Sequence, residues 1–211
     1  MCEKEMGKGG LRDILFGDDP LCIDCRRMWK NKPVKFYLDD VELNASYVYN
    51  EAFSGCLIQY KELADEALKD VFLFENRKWF RRKYRGYALV MMPSTQQKIQ
   101  ARGFSHLKEM FACTKMEIIE PFEKTADTVQ KGKSRWQRLE MMSEIRLKEG
   151  IVLPDKIVLC DDTVTTGSTL RGALHALKGY SGKIQIYTVS ANRRWYRPHS
   201  LHFTDRKAII L

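Results

Sequence analysis

Residues 157–170, IVLCDDTVTTGSTL, carry the pattern that decides the fold of this chain. Four apolar residues lead directly into two neighbouring carboxylates, Asp161 and Asp162, and then into a hydroxyl-rich turn around Gly167. A continuous apolar run of this length is typical of a strand buried on both faces of a parallel sheet. Apolar residues then recur at helical spacing, so the stretch predicts a strand, an acidic pair, a loop and a helix, in that order.

The loop after the acidic pair has the composition of a phosphate site. A helix that starts near Ser168 would direct free N–H groups and a partial positive charge towards a ligand. Gly167 would let the backbone approach that ligand closely. Hydroxyl donors come from Thr165, Thr166, Ser168 and Thr169.

Two common nucleotide-binding loops are excluded at this position. The stretch lacks the lysine of G-x-x-x-x-G-K-[ST] and the spacing of G-x-G-x-x-G. Because two carboxylates precede the loop, the ligand is expected to carry hydroxyls or a metal ion beside its phosphate, as a ribose 5-phosphate does. The alternative is an acidic turn whose Thr and Ser residues only cap a helix, although capping needs one such residue and not five.

Strands and helices are expected to alternate along the chain, which predicts an α/β domain with a mainly parallel sheet flanked by helices. Residues 1–33 hold three cysteines and little periodicity, and are expected to form a small N-terminal module ahead of a main domain at 34–211. Residues 123–135 are polar and are expected to form a flexible loop. The expected strands lie within 34–49 and at 87–92, 118–119, 157–160 and 184–189, and the expected helices at 50–75, 105–112, 136–147 and 170–177.

The stretch at 157–169 resembles the phosphoribosyl pyrophosphate (PRPP) signature of type I phosphoribosyltransferases. Other segments narrow the resemblance to the ComF (ComFC) family of competence-associated proteins, and it covers nearly the whole chain. These segments are Gln59-Tyr60-Lys61, the strand ending at Met92-Pro93, Arg102-Gly103-Phe104, and Gln130 and Arg138-Leu139 ahead of the signature. The resemblance implies a type I phosphoribosyltransferase-like fold for residues 34–211, with a zinc-binding cysteine module before it.

The resemblance also implies roles for individual residues. Asp161 and Asp162 would be the catalytic acids and would bind the ribose hydroxyls, partly through Mg²⁺. The loop after them would hold the 5-phosphate, and a hood loop would contribute Gln130 and Arg138. The family usually has Pro-Leu-His where this chain has Pro93-Ser94-Thr95, on the pyrophosphate side. The implied PRPP-binding residues are Thr163, Thr165, Thr166, Gly167, Ser168, Thr169, Ser94, Thr95 and Arg102.

A site of this kind supports displacement of pyrophosphate at the anomeric carbon of PRPP, with Mg²⁺ neutralising the leaving group. In purine salvage transferases the loop has an aspartate, thought to act as base, where this chain has Thr165. A hydroxyl is a poor proton acceptor at neutral pH, so classical purine salvage is disfavoured. A pyrimidine-like acceptor, an amine donor, or no transfer at all stays open.

The N-terminal cysteines form an incomplete zinc set. Cys2, Cys22 and Cys25 give three ligands, whereas a structural zinc site uses four. The resemblance implies a four-cysteine module, in which Cys2 would be the second member of a C-x-x-C pair that begins upstream of Met1. The alternative is three thiols in a loose N-terminus.

Two segments mix basic and aromatic residues, which suits single-stranded nucleic acid because cations meet phosphates and rings stack on bases. The alternative is a solvated basic helix face whose aromatic side chains turn into the core. The candidate residues are Arg77, Lys78, Trp79, Arg81, Arg82, Lys83 and Arg85 in the first segment, and Arg193, Arg194 and Trp195 in the second.

The composition fits these partners. The formal net charge is +9 and the pI is about 9.2, which favours phosphorylated small molecules or nucleic acid. No apolar run reaches the length of a membrane span and no secretory signal is visible, so a soluble, cytoplasmic protein is expected. Two hypotheses remain: a Mg²⁺-dependent phosphoribosyltransferase, or a competence protein that keeps PRPP as a ligand and contacts single-stranded DNA, with helicase or recombination proteins as candidate partners.

Overall fold

The computed structural model describes residues 19–124 and 145–196 and the backbone of 209–210. Its helices are α1 Ile23–Met28, α2 Glu51–Glu62, α3 Arg77–Lys83, α4 Gln96–Arg102, α5 His106–Ala112 and α6 Ser168–Ala176, with 3₁₀ turns at Glu66–Val71 and Arg193–Tyr196. Its strands are β1 Asn31–Leu38, β2 Val41–Val48, β3 Ala88–Met91, β4 Ile118–Ile119, β5 Phe122–Lys124, β6 Ile145–Leu147, β7 Lys156–Val164, β8 Lys183–Ala191 and β9 Ile209–Ile210.

The main sheet has the strand order β4-β3-β7-β8-β2-β1-β9. Neighbouring strands from β4 to β2 are parallel, whereas β1 pairs antiparallel with both β2 and β9. β1 and β2 form a hairpin whose turn residues Asp39 and Asp40 have φ values of 48° and 65°, the left-handed region that two-residue hairpin turns use. The expected α/β class with a mainly parallel sheet is confirmed.

β7 lies inside the parallel part of this sheet, between β3 and β8. Ile157, Val158, Leu159 and Cys160 are all fully buried. Both faces of a parallel strand are covered by neighbouring elements, which is why four consecutive positions are apolar instead of alternating. The same run directs the acidic pair towards the carboxyl edge of the sheet.

The described part of the N-terminal segment packs onto the core of the main sheet. The Trp29 ring lies 5.3 Å from Tyr47, 4.8 Å from Phe53 and 5.6 Å from Phe72, between ring centroids. Arg26 donates to the Asp19 carboxylate and, at 2.9 Å, to the backbone carbonyl of Val71. β1 begins at Asn31, just before the expected boundary at 33/34.

Two expected helices differ from the structure. The helix expected over 50–75 ends at Glu62, because Ala64 has φ of 54° and cannot continue a right-handed helix. Within the helix expected over 136–147, the described residues Ile145–Leu147 form a strand instead. β6 pairs antiparallel with β5, which gives this segment a hydrogen-bonding partner that its sequence does not indicate. Gln130 and Arg138 lie outside the described residues.

Candidate functional site

The candidate site lies at the carboxyl ends of the parallel strands, where open α/β sheets bind ligands. β7 continues to Val164, so Asp161 and Asp162 lie within the strand. The sequence predicts an end at residue 160, which would put both acids after the strand. Asp161 pairs with Thr188 of β8. Hydrogen bonds between β7 and β8 therefore hold the backbone of the acidic pair. The same residues in a loop would lack these bonds.

The candidate phosphate loop, Thr165 to Thr169, turns at a glycine. Gly167 has φ of +80°, and a Cβ at this position would lie 3.2 Å from Leu38 Cδ1. α6 begins at the next residue, and its N-cap, Gly167, has no side chain to cap the helix. The Ser168 N–H donates to Thr166 Oγ1 at 3.3 Å, whereas the next N–H groups of the turn have no partner within the helix and are available to an anion.

Contacts from both sides hold the loop in place. Trp195 donates its indole N–H to the Thr165 carbonyl at 2.8 Å. Arg171 donates to the Thr166 carbonyl at 3.1 Å and also bonds Asp39 in the β1–β2 turn. The residues Thr165, Thr166 and Ser168 are exposed, and Thr166 Oγ1 donates to Ser168 Oγ at 3.1 Å. The loop is thus fixed through its backbone, while its exposed side chains can be reached by a ligand.

The two adjacent acids have opposite electrostatic environments. Burial and the neighbouring charge of Asp162 raise the pKa of Asp161 to about 7. Burial alone would also raise the pKa of Asp162, but hydrogen bonds and charge from His106 and Lys61 hold it below its usual range. Asp162 is therefore ionised at neutral pH, whereas the charges of Lys61 and Lys124 only partly offset the effects of burial and of Asp162 on Asp161.

Lys61 and His106 are site residues for which the sequence indicated no role. Lys61 Nζ lies 2.7 Å and His106 Nε2 lies 2.9 Å from the same atom, Asp162 Oδ2. Ser94 Oγ lies 3.4 Å from His106 Nδ1, which connects the loop after β3 with the acidic pair. Lys61 was part of the resemblance, and His106 follows the Arg-Gly-Phe segment, but neither pattern indicated that both would meet Asp162.

Three other residues expected to bind PRPP differ in how far their polar groups are already hydrogen-bonded. Arg102 is buried, donates through Nε to the Lys61 carbonyl at 2.6 Å, and has a second nitrogen, Nη1, without a partner among the described residues. Thr95 caps α4, accepting from Lys98 N at 3.4 Å. Thr163 Oγ1 lies 2.8 Å from Ser190 Oγ, so its hydroxyl is engaged with β8.

The acidic pair fits a divalent cation only when a ligand completes the coordination. Within residues 19–124 and 145–196 there is no cluster of three or more His, Cys, Asp or Glu side chains suited to a metal ion. Mg²⁺ prefers six oxygen ligands and is often held by one or two carboxylates plus substrate phosphates. Asp161 and Asp162 supply the carboxylates, and PRPP would supply hydroxyl and phosphate oxygens.

Comparison with known proteins identifies the family. The model of the phosphoribosyl transferase domain matches residues 116–210. Competence protein ComFC of Streptococcus pneumoniae is 30% identical over 152 residues, which cover 71% of this chain and 64% of that protein. Competence protein ComFC of Bacillus subtilis is 24% identical over 173 residues, covering 80% and 71%. The chain belongs to the ComFC family, with a phosphoribosyltransferase-like domain.

This ComFC-family chain spans about two thirds of the length of its S. pneumoniae relative, at 64%. Among solved structures, a hypoxanthine phosphoribosyltransferase from Staphylococcus aureus aligns over 62% of this chain and 74% of that one, at 11% identity and a TM-score of 0.33. Such a remote likeness assigns no function. In the described part of the chain, no helix is both long and apolar enough to span a membrane.

The predicted zinc ligands are only partly described in this ComFC-family chain. Cys22 caps α1, where its Sγ accepts from Cys25 N at 3.4 Å, and Cys25 is buried. Cys2 lies outside the described residues. The cysteine module therefore stays a prediction.

The first basic segment lies at the amino edge of the parallel sheet. Lys83 Nζ bonds Glu42, the second residue of β2, at 2.8 Å. Trp79 turns inward, with its ring centroid 6.3 Å from that of Tyr187, while Arg81 and Arg82 are exposed. β2 spans about 23 Å from its amino end to its carboxyl end. α3 therefore lies at the amino edge of the sheet, opposite the carboxyl edge that carries the acidic pair.

The second basic segment lies at the carboxyl edge, beside the phosphate loop. Trp195 is buried and packs on Phe36, so this ring is not available for base stacking. The neighbouring Tyr196 hydroxyl donates to the Lys32 carbonyl at 3.4 Å, and Lys32 Nζ lies 5.7 Å from the Tyr196 ring centroid. The segment therefore contacts the start of β1, which carries further basic residues.

These residues form a basic band at the carboxyl edge, made of Arg27, Lys30, Lys32, Arg193 and Arg194, all exposed. In the described part of the chain, no carboxylate lies within ion-pair distance of Arg27, Lys30, Lys32 or Arg193. Two open clefts flank the band. One has about 500 Å³ and includes Arg27, Lys30 and Lys32, and the other has about 730 Å³ and includes Arg193.

Proposed function

We propose that this chain is the PRPP-binding part of a competence-associated protein that handles transforming DNA. The observation that carries the proposal is the start of α6 beside the acidic pair, where the N-cap is Gly167, in a conformation and an enclosure that favour glycine. The family membership and the names of the ComFC relatives support the competence role.

Different residues of the chain would bind different groups of PRPP. The N–H groups of the first turn of α6 and the exposed hydroxyls of Thr165, Thr166 and Ser168 would bind the 5-phosphate. Asp161 and Asp162 would accept the ribose hydroxyls and hold Mg²⁺, which supplies charge neutralisation for the pyrophosphate.

Calorimetric titration with PRPP and Mg²⁺ tests this function. We expect the wild type to bind and Asp161→Ala/Asp162→Ala to lose binding. Asp155→Ala is the matched control, because Asp155 is an exposed acid just before the amino end of β7. Absence of binding in the wild type would refute the proposal, and equal loss in the control would show that the effect is not specific to the site.

A second candidate function is transfer of the phosphoribosyl group to an acceptor. Lys61 and the unpartnered Nη1 of Arg102 favour it, because they place cations on the side where pyrophosphate would leave. Thr165 in the loop makes a purine an unfavourable acceptor. Release of pyrophosphate from PRPP, tested with pyrimidines and with small amines, separates a transferase from a protein that only binds PRPP.

The proposed competence role includes binding of single-stranded DNA at the basic band. Arg27, Lys30, Lys32 and Arg193 of the band lie beyond ion-pair distance of the described carboxylates, whereas Lys83 on α3 already pairs with Glu42. Non-specific binding of nucleic acid depends on such phosphate contacts and weakens with salt.

Two charge-reversal variants distinguish the surfaces. We expect Lys30→Glu/Lys32→Glu/Arg193→Glu to weaken binding of a fluorescent oligothymidylate by at least about tenfold at moderate salt. Arg81→Glu/Arg82→Glu/Arg85→Glu carries the same charge change at the opposite edge and should weaken it much less. The reverse ranking would assign the contact to α3, and no effect of either variant would exclude both surfaces.

A further inference from the structure

Asp162 makes two unequal contacts. Its Oδ2 accepts from both Lys61 Nζ and His106 Nε2, at 2.7 and 2.9 Å. The His106 side chain is 6% exposed, whereas that of Lys61 is 24% exposed. The ammonium can therefore reach solvent without disrupting the core, while the imidazole cannot.

His106 makes further contacts with its surroundings, whereas the only side-chain hydrogen bond of Lys61 among the described residues is the one with Asp162. Tyr60 donates its hydroxyl to the His106 carbonyl at 2.7 Å, and Ser94 Oγ lies 3.4 Å from His106 Nδ1. Lys61 is held at its own carbonyl by Arg102 Nε at 2.6 Å. This contact anchors the backbone of Lys61 beside a buried guanidinium whose Nη1 has no partner among the described residues.

Arg102 Nη1 is a cationic donor and one of four buried side-chain polar atoms that lack a partner among the described residues. Leaving such a donor unpaired is costly, and an anion bound beside it would satisfy it. An anion at this position would also draw the ammonium of Lys61 away from Asp162.

We propose that Lys61 is an exchangeable counter-cation of the acidic pair. Its ammonium neutralises Asp162 as long as no metal ion takes its place. When a divalent cation binds the carboxylates, Lys61 leaves Asp162 and contacts the anionic group of the ligand beside Arg102. His106 stays on Asp162 and keeps the carboxylate oriented. The second half of this proposal rests on the proposed PRPP function, whereas the first half concerns the protein and a metal ion alone.

Competition for one carboxylate explains why a chain would keep a lysine at this position. An ammonium and a divalent cation cannot both contact Asp162 Oδ2, so the lysine weakens binding of the metal ion by itself. The released ammonium then strengthens binding of the anion that accompanies the metal. The acidic pair would thus favour a metal–diphosphate complex over the free metal ion.

Mn²⁺ binding without PRPP, followed by calorimetry or electron paramagnetic resonance, tests the first half. We expect Lys61→Met to bind Mn²⁺ about tenfold more tightly than the wild type, because the competing cation is gone. Lys124→Met is the matched control, since Lys124 influences Asp161 through its charge without a bond to either acid. A change in Lys61→Met no larger than that in Lys124→Met would overturn the exchange and leave only a long-range charge effect.

PRPP binding in the presence of Mg²⁺ tests the second half. Lys61→Met should bind PRPP at least about fivefold more weakly than Lys124→Met, although it binds the metal ion more tightly. Weaker binding of both ligands would overturn the proposal in favour of a structural role. Lys61→Gln keeps a neutral donor to Asp162 and serves if the Met variant does not fold. If wild-type protein does not bind PRPP at all, the PRPP function fails, and the Mn²⁺ experiment still decides the exchange at Asp162.

Discussion

Trp195 donates its indole N–H to the backbone carbonyl of Thr165 across 2.8 Å, connecting the turn after β8 to the loop after β7. The two residues follow neighbouring strands of the sheet, and the bond fixes the first residue of the candidate phosphate loop. A residue expected to stack on nucleic acid thus holds the loop of the candidate site.

Replacing Trp195 with Phe should loosen this loop while retaining ring packing on Phe36. Loss of one hydrogen bond should lower the free energy of unfolding by about 1 kcal/mol, and PRPP affinity should fall several-fold because the loop must be ordered on binding. Urea unfolding and calorimetry measure the two effects. Trp79→Phe, on the opposite edge, should leave PRPP affinity unchanged. An equal loss of PRPP affinity in that variant would show that the hydrogen bond from Trp195 to Thr165 is not the cause.

Gly167→Ala should cost more than an ordinary glycine substitution. The φ of +80° costs an alanine about 1–2 kcal/mol, and its Cβ would crowd Leu38 Cδ1 at 3.2 Å. Gly179→Ala is the matched comparison, because Gly179 has φ of +93° but open space around it. We expect thermal unfolding to show a larger loss for Gly167→Ala, which alone should lose PRPP binding. Similar behaviour of the two variants would show that backbone conformation accounts for the whole effect.

Asp161→Asn should stabilise the protein, because it removes a buried carboxylate beside the charge of Asp162. The same change would remove one of the two acids proposed to bind the ligand. Burial and the charge of Asp162 raise the pKa of Asp161 to about 7, above its unfolded value. The folded state therefore binds more protons than the unfolded state between these two pKa values, and stability falls as pH rises through this window. Urea unfolding should show the Asn variant gaining over the wild type from pH 4 to pH 8. A constant difference across this range would contradict the raised pKa.

Glu42→Gln should show the opposite dependence on pH. Partial burial would raise the pKa of Glu42, but hydrogen bonds from Lys35, Lys83 and Asn44 outweigh it and lower the pKa to about 2. Glu42 thus stabilises the fold above its ordinary pKa, and this contribution is lost as pH falls towards 2. Unfolding midpoints should differ most near pH 7 and converge at low pH. Glu123→Gln, an exposed acid on β5, should show no such convergence.

The local parts of the fold could be predicted because each depends on residues close together in the chain. The buried run of β7, the loop around Gly167 and the amphipathic start of α6 follow one another within a single stretch. The boundaries were less predictable: β7 includes both acids, because pairing with β8 extends the strand, and β6 is a strand because β5 lies beside it.

The sequence by itself determined the α/β class and the succession of buried strand, acidic pair, glycine turn and helix, because hydrophobic periodicity and turn chemistry act over a few residues. Only the tertiary structure decided which side chains meet Asp162. Lys61 lies 101 positions away and His106 lies 56 positions away, and the packing of their helices, α2 and α5, around the sheet brings them together. It also decided that the two basic segments occupy opposite edges of the sheet, since residue composition does not specify the edge at which a helix or turn is placed.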